Sequence, residues 1–459
     1  MTKLFVVRIV FCIIITFQYS STFSQIWSSV DLGVCQTDTH LTTDVESFSI
    51  YNNKLIVSGE FNTAGTIHGN SIASWNGYQW DSLGFGLGTY SSGVFAKDFC
   101  EWNGSLYAGG WFPGASTGQP NQYFPNTQYL AKWDGNSWSA VSNVSINFWV
   151  NAVIIYNNEL YAAGRFTQVG TLPVGRIAKW NGSYWSNVGG GVTGGFGSID
   201  CMAVFNGELY IGGDFSYAGG VLAQFIARWN GSNWDSVGSS LSALNAPPRS
   251  FVVDTTNNVL LVGGPFTGAG GQPAFGAARW DGSNWSALGN DTIIADDLEI
   301  YHNELYATCE YVYKWNGQSW VKMSTNHGNV FTLKTYNDTL YVGGEFDTLN
   351  GVPMSRIARY YAPNTTLIKQ QDNNVHFNIY PNPSKKEISV ELVSKNPAIA
   401  GIYIYNAEGK LEKEFDINKL ATTQNKIFIN IEELKTGIHF LELRDEGGEK
   451  YGSKKFVVE

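Results

Sequence analysis

The chain has 459 residues and a net charge of −10, with 39 acidic residues against 29 basic ones. This balance excludes the broad basic surface that binding to nucleic-acid phosphates requires, so no nucleic-acid partner is expected. Beyond the N-terminal segment, no stretch approaches the run of about 18 or more apolar residues that a membrane helix needs.

Residues 1–24 are predicted to be a secretory signal peptide. The apolar run from Leu4 to Phe17 follows Lys3, and small residues follow the run. This order of a basic start, an apolar centre and small residues is typical of a cleaved signal. Gln25 is therefore the expected first residue of the mature protein, and no transmembrane segment is expected after cleavage.

Tryptophans recur in pairs that flank an Asn-Gly or Asp-Gly turn. The pairs are Trp75 and Trp80, Trp133 and Trp138, Trp180 and Trp185, Trp229 and Trp234, Trp280 and Trp285, and Trp315 and Trp320. These dipeptides supply the positive φ angles of tight hairpins, so each motif is predicted as strand, turn and strand. A unit of this length buries its apolar face only against neighbouring units, so the tryptophans are predicted to pack between units.

Another strand pair precedes each tryptophan pair. Its second strand is rich in Tyr and Gly, as in LYAGGWF (106–112) and LYIGGDF (209–215). Each unit therefore has four strands, a to d, joined a–b and c–d by two-residue turns, which is the pattern of a β-propeller blade. Alignment on the Leu that opens strand b places an apolar residue of strand a at Phe48, Phe99, Val153, Met202, Val253, Leu298 and Leu333. Seven blades are predicted, and the sixth is abbreviated.

The two ends of this repeat array predict how the ring closes. The seventh unit ends after its third strand, at residues 356–361, whereas the sequence after Trp27 matches the fourth strands of the other units. Pairing of the Trp27 strand with residues near Tyr360 removes exposed strand edges. The predicted fold is all-β, with a seven-bladed β-propeller over residues 25–361 that the N-terminal strand closes.

Strands b, c and d of residues 27–361 resemble the kelch repeat, with glycines ending strand b, an aromatic residue in c and Trp in d. The sequence departs from kelch in having Trp as the aromatic residue of strand c. It also replaces the double glycine by Ser58-Gly59, Ala163-Gly164 and Thr308-Cys309. Kelch-like propellers include binding proteins and oxidases, so the resemblance implies a fold without choosing a function.

The C-terminal segment differs in composition. Residues 362–376 are a polar linker, and residues 377–459 resemble the type A C-terminal sorting domain of the type IX secretion system. The blocks that carry the resemblance are YPNP (380–383), IYIYNAEGK (402–410), LKTGIHFLEL (434–443) and KKFVVE (454–459). The sorting-signal residues carried over from the family are Tyr380, Pro381, Asn382, Pro383, Gly409, Gly437, Lys454 and Lys455.

That resemblance implies a small Ig-like β-sandwich that the type IX secretion machinery recognises. It also implies a Bacteroidetes-type source and a secreted protein, either extracellular or attached to the outer-membrane surface. Whether the protein is anchored or released stays open.

The longest insertion in the repeats follows strand b of the second unit, at residues 112–129. In a propeller the b–c and d–a loops share one face, and variable loops on a rigid scaffold are where function concentrates. The aromatic residues that this insertion adds are candidates to bind a glycan or a protein partner. They are Trp111, Tyr123, Phe124 and Tyr129. The alternative is that they pack the loop onto its own blade.

A ring of residues is predicted at one mouth of the propeller channel. Its members are Glu46, Lys97, Asn151, Asp200, Phe251, Asp296 and Phe331. The carboxylates of Glu46, Asp200 and Asp296 are candidates to converge on a cation or a polar ligand. The alternative is that they are solvated in a wet channel.

Motifs for catalysis and metal binding are not found. The histidines have no metal-ligand spacing, and they are His40, His68, His302, His327, His376 and His439. No cofactor and no metal are therefore predicted. After signal cleavage the cysteines are Cys35, Cys100, Cys201 and Cys309. They allow three full pairings, among which the sequence does not choose.

The sequence thus favours a secreted or cell-surface propeller that binds a glycan or protein through its loop-rich face without catalysis. One alternative is a polysaccharide hydrolase or lyase, since a pair of catalytic carboxylates can come from distant blades. A further alternative is a structural component of a surface layer or an adhesion protein.

Overall fold

The computed structural model describes residues 26–35, 43–88, 93–238, 243–361, 377–392, 401–406, 410–417, 422–423, 426–444 and 450–458. Over these residues the chain is all-β and contains no α-helix, which confirms the predicted class. None of the described segments is a helix with the length and hydropathy of a membrane span. The predicted signal peptide and linker lie outside the described residues. The chain divides into two compact units, Met1–Pro363 and Asn364–Glu459.

The first unit contains, among its described residues, seven antiparallel sheets of four strands, here sheets 1 to 7. In strand order, sheet 1 comprises Ser47–Tyr51, Lys54–Ser58, Ile72–Trp75 and Trp80–Ser82; sheet 2, Phe95–Trp102, Ser105–Trp111, Leu130–Trp133 and Trp138–Ser139; sheet 3, Val150–Tyr156, Glu159–Gly164, Ile177–Trp180 and Trp185–Asn187; sheet 4, Cys201–Phe205, Glu208–Gly212, Ile226–Trp229 and Trp234–Ser236; sheet 5, Ser250–Asp254, Val259–Gly263, Ala277–Trp280 and Trp285–Ala287; sheet 6, Asp297–Tyr301, Glu304–Thr308, Val312–Trp315 and Trp320–Lys322; and sheet 7, Val330–Tyr336, Thr339–Gly344, Ile357–Tyr361 and Ile26–Ser29.

Shorter strands lie in the connections. Five connections between a second and a third strand form the same small hairpin: Thr63–Ala64 with Ile67–His68, Gln168–Val169 with Leu172–Pro173, Tyr217–Ala218 with Val221–Leu222, Gly268–Ala269 with Gln272–Pro273, and Thr348–Leu349 with Val352–Pro353. The two-residue strands Val34–Cys35, Val192–Thr193 and Asn326–His327 extend three of these hairpins.

The fourth strand of sheet 7 comes from the start of the chain. Ile26–Ser29 pairs antiparallel with Ile357–Tyr361, and Trp27 lies opposite Tyr360. The pairing predicted from the sequence is therefore present. It joins the start and the end of the repeat array in one hydrogen-bonded sheet.

Neighbouring sheets pack in a cyclic order. The first strand of each sheet packs against the first strand of the next, and the first strand of sheet 7 packs against that of sheet 1. Side-chain hydrogen bonds follow the same order. Tyr51 Oη donates to the Gly104 carbonyl of sheet 2 at 2.8 Å, and Tyr336 Oη of sheet 7 donates to the Asn53 carbonyl of sheet 1 at 2.8 Å.

The two hairpins within each sheet use different turns. In sheet 1 the first turn places Asn52 and Asn53 at φ angles of 46° and 56°, as a two-residue type I′ turn requires. The second turn is wider, because Trp75 pairs directly with Trp80 and four residues lie between them. Asn76 Oδ1 accepts two backbone N–H groups of this loop. The predicted two-residue turn between strands c and d was therefore wrong.

The register of sheet 5 also differs from the sequence alignment. In sheet 1, Phe48 lies opposite Val57, two residues after the Leu that opens the second strand. The equivalent position in sheet 5 is opposite Val262, and Phe251 occupies it. The alignment had placed Val253 there, which was wrong by two residues.

A longer turn explains this shift in sheet 5. Asp254 pairs with Val259, so four residues connect the two strands where each of the six other sheets has two. An alignment that assumes a two-residue turn cannot register those added residues. The residue of sheet 5 that is equivalent to Glu46 of sheet 1 is therefore Arg249, whereas the alignment had placed Phe251 there.

The described residues of the second unit form two four-stranded antiparallel sheets. One comprises Phe377–Tyr380, Glu387–Leu392, Lys426–Asn430 and Thr422–Thr423, and the other comprises Leu411–Asp416, Gly401–Asn406, Gly437–Arg444 and Lys450–Val458. Both sheets contribute to one buried core, which includes Ile388 and Val390 from the first sheet and Ile404, Leu441 and Phe456 from the second. Two sheets that share a core form the layers of a β-sandwich.

Candidate functional site

Five aromatic rings, here called the aromatic cluster, meet where sheet 2 adjoins sheet 3. Trp111 stacks on Trp149 with ring centroids 4.3 Å apart and 19° between the ring planes. Phe148 stacks on Trp149 at 4.6 Å and 29°. Phe95 lies 5.3 Å from Trp111, and Tyr129 lies 6.2 Å from Phe148. The cluster joins the end of one strand to the loop before the next sheet.

Hydrogen bonds hold the cluster in place. Trp111 Nε1 donates to Asn151 Oδ1 at 2.9 Å, and Asn151 Nδ2 donates to Asp200 Oδ1 at 2.8 Å. The N–H of Tyr129 donates to the Phe112 carbonyl at 3.1 Å, in a left-handed backbone conformation with φ of 62°. The contacts therefore extend from sheet 2 to the start of sheet 4, and they hold the Trp111 ring and the backbone at Tyr129.

One end of the cluster faces solvent. Phe148 is 40% exposed, whereas Trp111, Trp149 and Tyr129 are half-buried. The exposed guanidinium of Arg165 lies 5.6 Å from the centre of the Trp149 ring. The surface thus combines an aromatic face with a cation and the polar groups around it.

Two further phenylalanines are exposed on nearby loops. Phe196, in the connection before sheet 4, is 86% exposed, and Phe85, in the connection before sheet 2, is 60% exposed. A Cβ atom at Gly118 would lie 2.9 Å from the Phe85 ring, so Phe85 packs on the backbone of the long insertion. This insertion spans residues 112–129.

The candidate residues of the insertion divide into two groups. Trp111 and Tyr129 belong to the aromatic cluster. Tyr123 and Phe124 fold back onto the insertion, since Tyr123 is bridged to Ser116 and the N–H of Phe124 donates to the Ala115 carbonyl at 2.9 Å. Phe124 remains 38% exposed.

Sequence reasoning missed Phe148, Trp149 and Arg165. Phe148 and Trp149 lie in the connection before sheet 3, and Arg165 directly follows the second strand of that sheet. Two adjacent aromatic residues directly before a predicted strand are a signal that the sequence contains. Their proximity to Trp111 could not be predicted from the sequence, because it depends on how two sheets pack.

The three carboxylates that were predicted at a channel mouth are each bonded to a different neighbour on the adjacent sheet. The pairs are Glu46 with Lys97, Asp200 with Asn151, and Asp296 with Arg249. Burial raises the pKa of the Asp200 carboxyl, while a hydrogen bond from Ser198 opposes that rise. Each of these carboxylates thus has its own partner. This arrangement does not favour the predicted convergence of Glu46, Asp200 and Asp296 on one ligand.

Another carboxylate, Asp44, is buried near the junction of sheets 7 and 1. Its Oδ1 accepts the N–H of Glu60 at 2.8 Å. Burial raises the pKa of Asp44 to about 7, and the negative charges of Glu46, Glu60 and Glu345 add to that rise. Throughout the part of the chain that is described, no three His, Cys, Asp or Glu side chains are grouped so that they could hold a metal ion.

The cysteines Cys35, Cys100, Cys201 and Cys309 are all free thiols. None of the possible pairings is formed. Burial raises the pKa of the Cys100 and Cys201 thiols well above the usual value, so both remain protonated at neutral pH.

Residues of the predicted sorting signal lie around the last strand of the second unit. Asn382 Oδ1 accepts the N–H of Val457 at 2.9 Å, and Lys454 Nζ donates to Asn378 Oδ1 at 3.1 Å. The Tyr380–Pro381 and Asn382–Pro383 peptide bonds are cis. Tyr380 and Lys455 are exposed, and Gly437 opens the third strand of its sheet. Gly409 lies outside the described residues.

A comparison with protein families identifies this unit. Residues 378–459 match the family described as "Secretion system C-terminal sorting domain". The protein therefore carries a type IX secretion sorting domain, which directs its export across the outer membrane to the cell surface or the extracellular space. No curated protein has a sequence that matches the chain.

Similarities to solved structures are weak. PorZ, an essential surface component of the type IX secretion system of Porphyromonas gingivalis, is 11% identical with a TM-score of 0.43, over 90% of this chain and 59% of PorZ. A copper-bound fungal alcohol oxidase of the AA5 family is 11% identical with a TM-score of 0.41, over 95% and 99%. The acylaminoacyl peptidase of Pyrococcus horikoshii is 8% identical with a TM-score of 0.38, over 80% and 60%. Similarity at this level assigns neither fold nor function.

Proposed function

We propose that the protein is an exported seven-bladed β-propeller that binds a glycan, without catalysis, through the face that carries the aromatic cluster. Three observations support the propeller: the four-stranded sheets, the cyclic packing of their first strands, and the N-terminal strand in sheet 7. The propeller domain comprises residues 25–361, after a signal peptide at 1–24. A linker at 362–376 connects it to the sorting domain at 377–459.

The stack of Trp111, Trp149 and Phe148 is the observation that carries the glycan proposal. The C–H face of a sugar ring packs on an aromatic face, and its hydroxyl groups need nearby hydrogen-bond donors. Phe148 offers the partly exposed ring, and Arg165 offers donors beside it. Because Trp111 is held by a hydrogen bond and the other two rings stack on one another and on it, we expect binding to cost little additional side-chain entropy.

A protein partner is the second candidate for the same face. Phe85 and Phe196 are more exposed than Phe148, and neither is part of the stack. Exposed aromatic residues that do not pack in a core are typical anchors of protein interfaces. Substitution of Phe196 therefore separates this candidate from the glycan site.

The hydrolase alternative receives less support. Glycoside hydrolysis uses two carboxyl groups about 5–9.5 Å apart, one of which must donate or accept a proton. The carboxylates of Glu46 and Asp296 are each paired with a cation from the neighbouring sheet. Asp200 is held by hydrogen bonds to Asn151 and Ser198. Each group thus has a structural role already.

The test uses the full chain on a polysaccharide array, with binding and the release of reducing or unsaturated ends followed together. We expect retention on a glycan without new ends. Phe148→Ala and Arg165→Gln should each weaken binding about tenfold, since a stacking contact and a charged hydrogen bond are lost. Tyr184→Ala is the matched control, because Tyr184 is an exposed aromatic residue in a hairpin turn away from the cluster.

Each other outcome contradicts the glycan proposal in a different way. Turnover of a polysaccharide would establish an enzyme, and Glu46, Asp200 and Asp296 would then be substituted. Glycan retention that Phe148→Ala leaves unchanged would place the site elsewhere. If the chain neither binds nor cleaves any glycan, a protein partner is favoured, and Phe196→Ala is the next variant to measure.

A further inference from the structure

Pairs of aromatic side chains fill the space between neighbouring sheets near the first hairpin turn. One member ends the first strand and the other lies on the second strand, with ring centroids between 5.6 and 5.9 Å apart. The pairs are Trp102 and Tyr107, Tyr156 and Tyr161, Phe205 and Tyr210, Tyr301 and Tyr306, and Tyr336 and Tyr341. Each pair packs with the third strand of the next sheet. For example, Trp280 Nε1 donates to Tyr210 Oη at 3.2 Å.

Sheet 5 has neither aromatic residue. Asp254 pairs with Val259 at the end of the first hairpin, as Tyr156 pairs with Glu159 in sheet 3. Leu261 takes the place of the second ring. Sheet 1, the other exception, keeps one ring of the pair, Tyr51. The space between sheets 5 and 6 is therefore the one in which both aromatic rings of the pair are missing.

A cavity of about 680 Å³ lies at this position. It is lined by Asp254 and Leu261 of sheet 5 and by Trp315 of sheet 6. Trp315 is the residue against which the missing pair would pack, and it is half-buried. The cavity thus includes the place that a pair of aromatic rings occupies between other sheets.

The longer turn of sheet 5 does not fill this volume. The Asp254 carboxylate accepts the N–H groups of Thr256 and Asn257 at 3.0 Å each, and the Asn257 side-chain amide at 2.7 Å. These bonds fold the turn over its own carboxylate. They leave polar groups at the rim, while Leu261, Leu288 and Leu305 supply apolar lining.

The exposed cation of sheet 5 at this place lacks the Glu partner that its equivalents have in three other sheets. In three sheets the Glu that opens the second strand forms an ion pair with a cation on the third strand: Glu159 with Lys179 at 2.7 Å, Glu208 with Arg228 at 3.2 Å, and Glu304 with Lys314 at 2.7 Å. In sheet 5, Val259 replaces the Glu, and Arg279 is the cation. Within the described chain Arg279 forms no ion pair. Its Nε donates to Ser286 Oγ at 2.7 Å, and the residue lines the cavity.

We propose that this cavity binds a small ligand that joins an aromatic ring to a carboxylate. The ring occupies the volume of the missing aromatic pair, beside Trp315. The carboxylate replaces the missing Glu and pairs with Arg279, whose planar guanidinium suits two-point binding of a carboxylate. The volume is within the range of small-molecule pockets, about 300–1,000 Å³.

This site is separate from the aromatic cluster. Asp254 ends the first strand of its sheet, whereas the aromatic cluster lies at the start of the first strand of sheet 3. The proposal therefore goes beyond glycan binding, and failure of one site leaves the other unaffected.

The test is calorimetric titration of the full chain with 3-(4-hydroxyphenyl)propionate. The matched ligands are its primary amide, which lacks the charge, and acetate, which lacks the ring. We expect saturable binding of the propionate alone. Arg279→Gln should weaken it about tenfold, because one charged hydrogen-bonded pair is lost.

A filling variant gives the sharpest control. Val259→Glu with Leu261→Tyr restores the residues that sheets 3 and 4 carry at these positions, so it should fold and abolish binding. Should this double variant not fold by circular dichroism, Leu261→Phe tests the ring volume alone. The proposal is overturned if the wild-type chain takes up no propionate, if the amide binds equally well, if Arg279→Gln leaves the affinity unchanged, or if the filling variant binds as the wild type does.

Discussion

Trp27 lies directly opposite Tyr360 in adjacent antiparallel strands, with ring centroids 5.0 Å apart. Both rings are buried, and Tyr360 also contacts the rings of Tyr301 and Tyr306 on sheet 6, at 6.4 and 6.2 Å. A residue near the N-terminus is thus part of the core where sheets 6 and 7 meet. We therefore expect the stability of the first unit to depend on that strand.

Trp27→Ala should lower the free energy of unfolding by about 3–5 kcal/mol, as expected for loss of a buried tryptophan. Urea denaturation of the full chain measures this loss. Ser29→Ala is the control, since Ser29 is on the same strand and exposed, and it should change stability by less than about 0.5 kcal/mol. An unchanged midpoint for the Trp27 variant would mean that the strand pairing contributes little.

Substitution by alanine of a tryptophan in the repeated pairs should lower the free energy of unfolding by an amount that depends on how deeply that tryptophan is buried. Trp280 is 3% exposed and donates to Tyr210 Oη, so Trp280→Ala should cost about 3–5 kcal/mol. Trp180 is half-buried, and we expect Trp180→Ala to cost less, about 2–3 kcal/mol, because less apolar area leaves water. Paired urea curves give both values. Equal losses would show that burial does not set the contribution of these residues.

Local signals made much of the fold predictable. The Asn-Gly and Asn-Asn turns, the tryptophan pairs and the Trp27 motif are short-range patterns, and each placed a hairpin or a strand pair. The wrong register at Phe251 and Arg249 arose where the turn after Asp254 is longer, because a pattern aligned on one turn length cannot detect added residues.

The candidate sites were less predictable, since they depend on packing between sheets. Trp111 was identified from the insertion, but its partner Trp149 belongs to another repeat. The cavity beside Trp315 arises from what sheet 5 lacks at Asp254 and Leu261. The missing aromatic pair can be recognised only after the register of the strands in the other sheets is known.

Gly276 and Gly220 have nearly equal backbone conformations but differ in the space available for a side chain, so alanine substitutions at the two positions can be compared directly. Their φ angles are 83° and 85°, so alanine at either position adopts an unfavourable left-handed conformation, at a cost of about 1–2 kcal/mol. A Cβ atom at Gly276 would also overlap the Ile293 carbonyl, whereas nothing lies within 4 Å of one at Gly220. We expect Gly276→Ala to be less stable than Gly220→Ala by at least about 2 kcal/mol in thermal denaturation. Equal effects would rule out the close approach at Ile293.

Asp44 should make stability depend on pH. Its pKa in the folded protein is about 7, raised by burial above the ordinary value of 3.8. Below the ordinary value both states hold the proton, so the contribution of Asp44 is fully present there. Between that value and about pH 7 the unfolded chain releases the proton first, and stability falls by about 4 kcal/mol in total, at about 1.4 kcal/mol per pKa unit.

Asp44→Asn removes this titration and keeps an oxygen that can accept the Glu60 N–H. The variant should therefore be more stable than the wild type at pH 8, and the difference between them should shrink toward pH 4. Urea denaturation at several pH values measures it, and the difference cancels the titration of other buried carboxyls such as Asp98. Asp134→Asn is the control of opposite sign, since hydrogen bonds from Ser137 and Asn136 lower the pKa of Asp134. A difference between Asp44→Asn and the wild type that stays constant with pH would show that the pKa of Asp44 is the same in the folded and the unfolded protein.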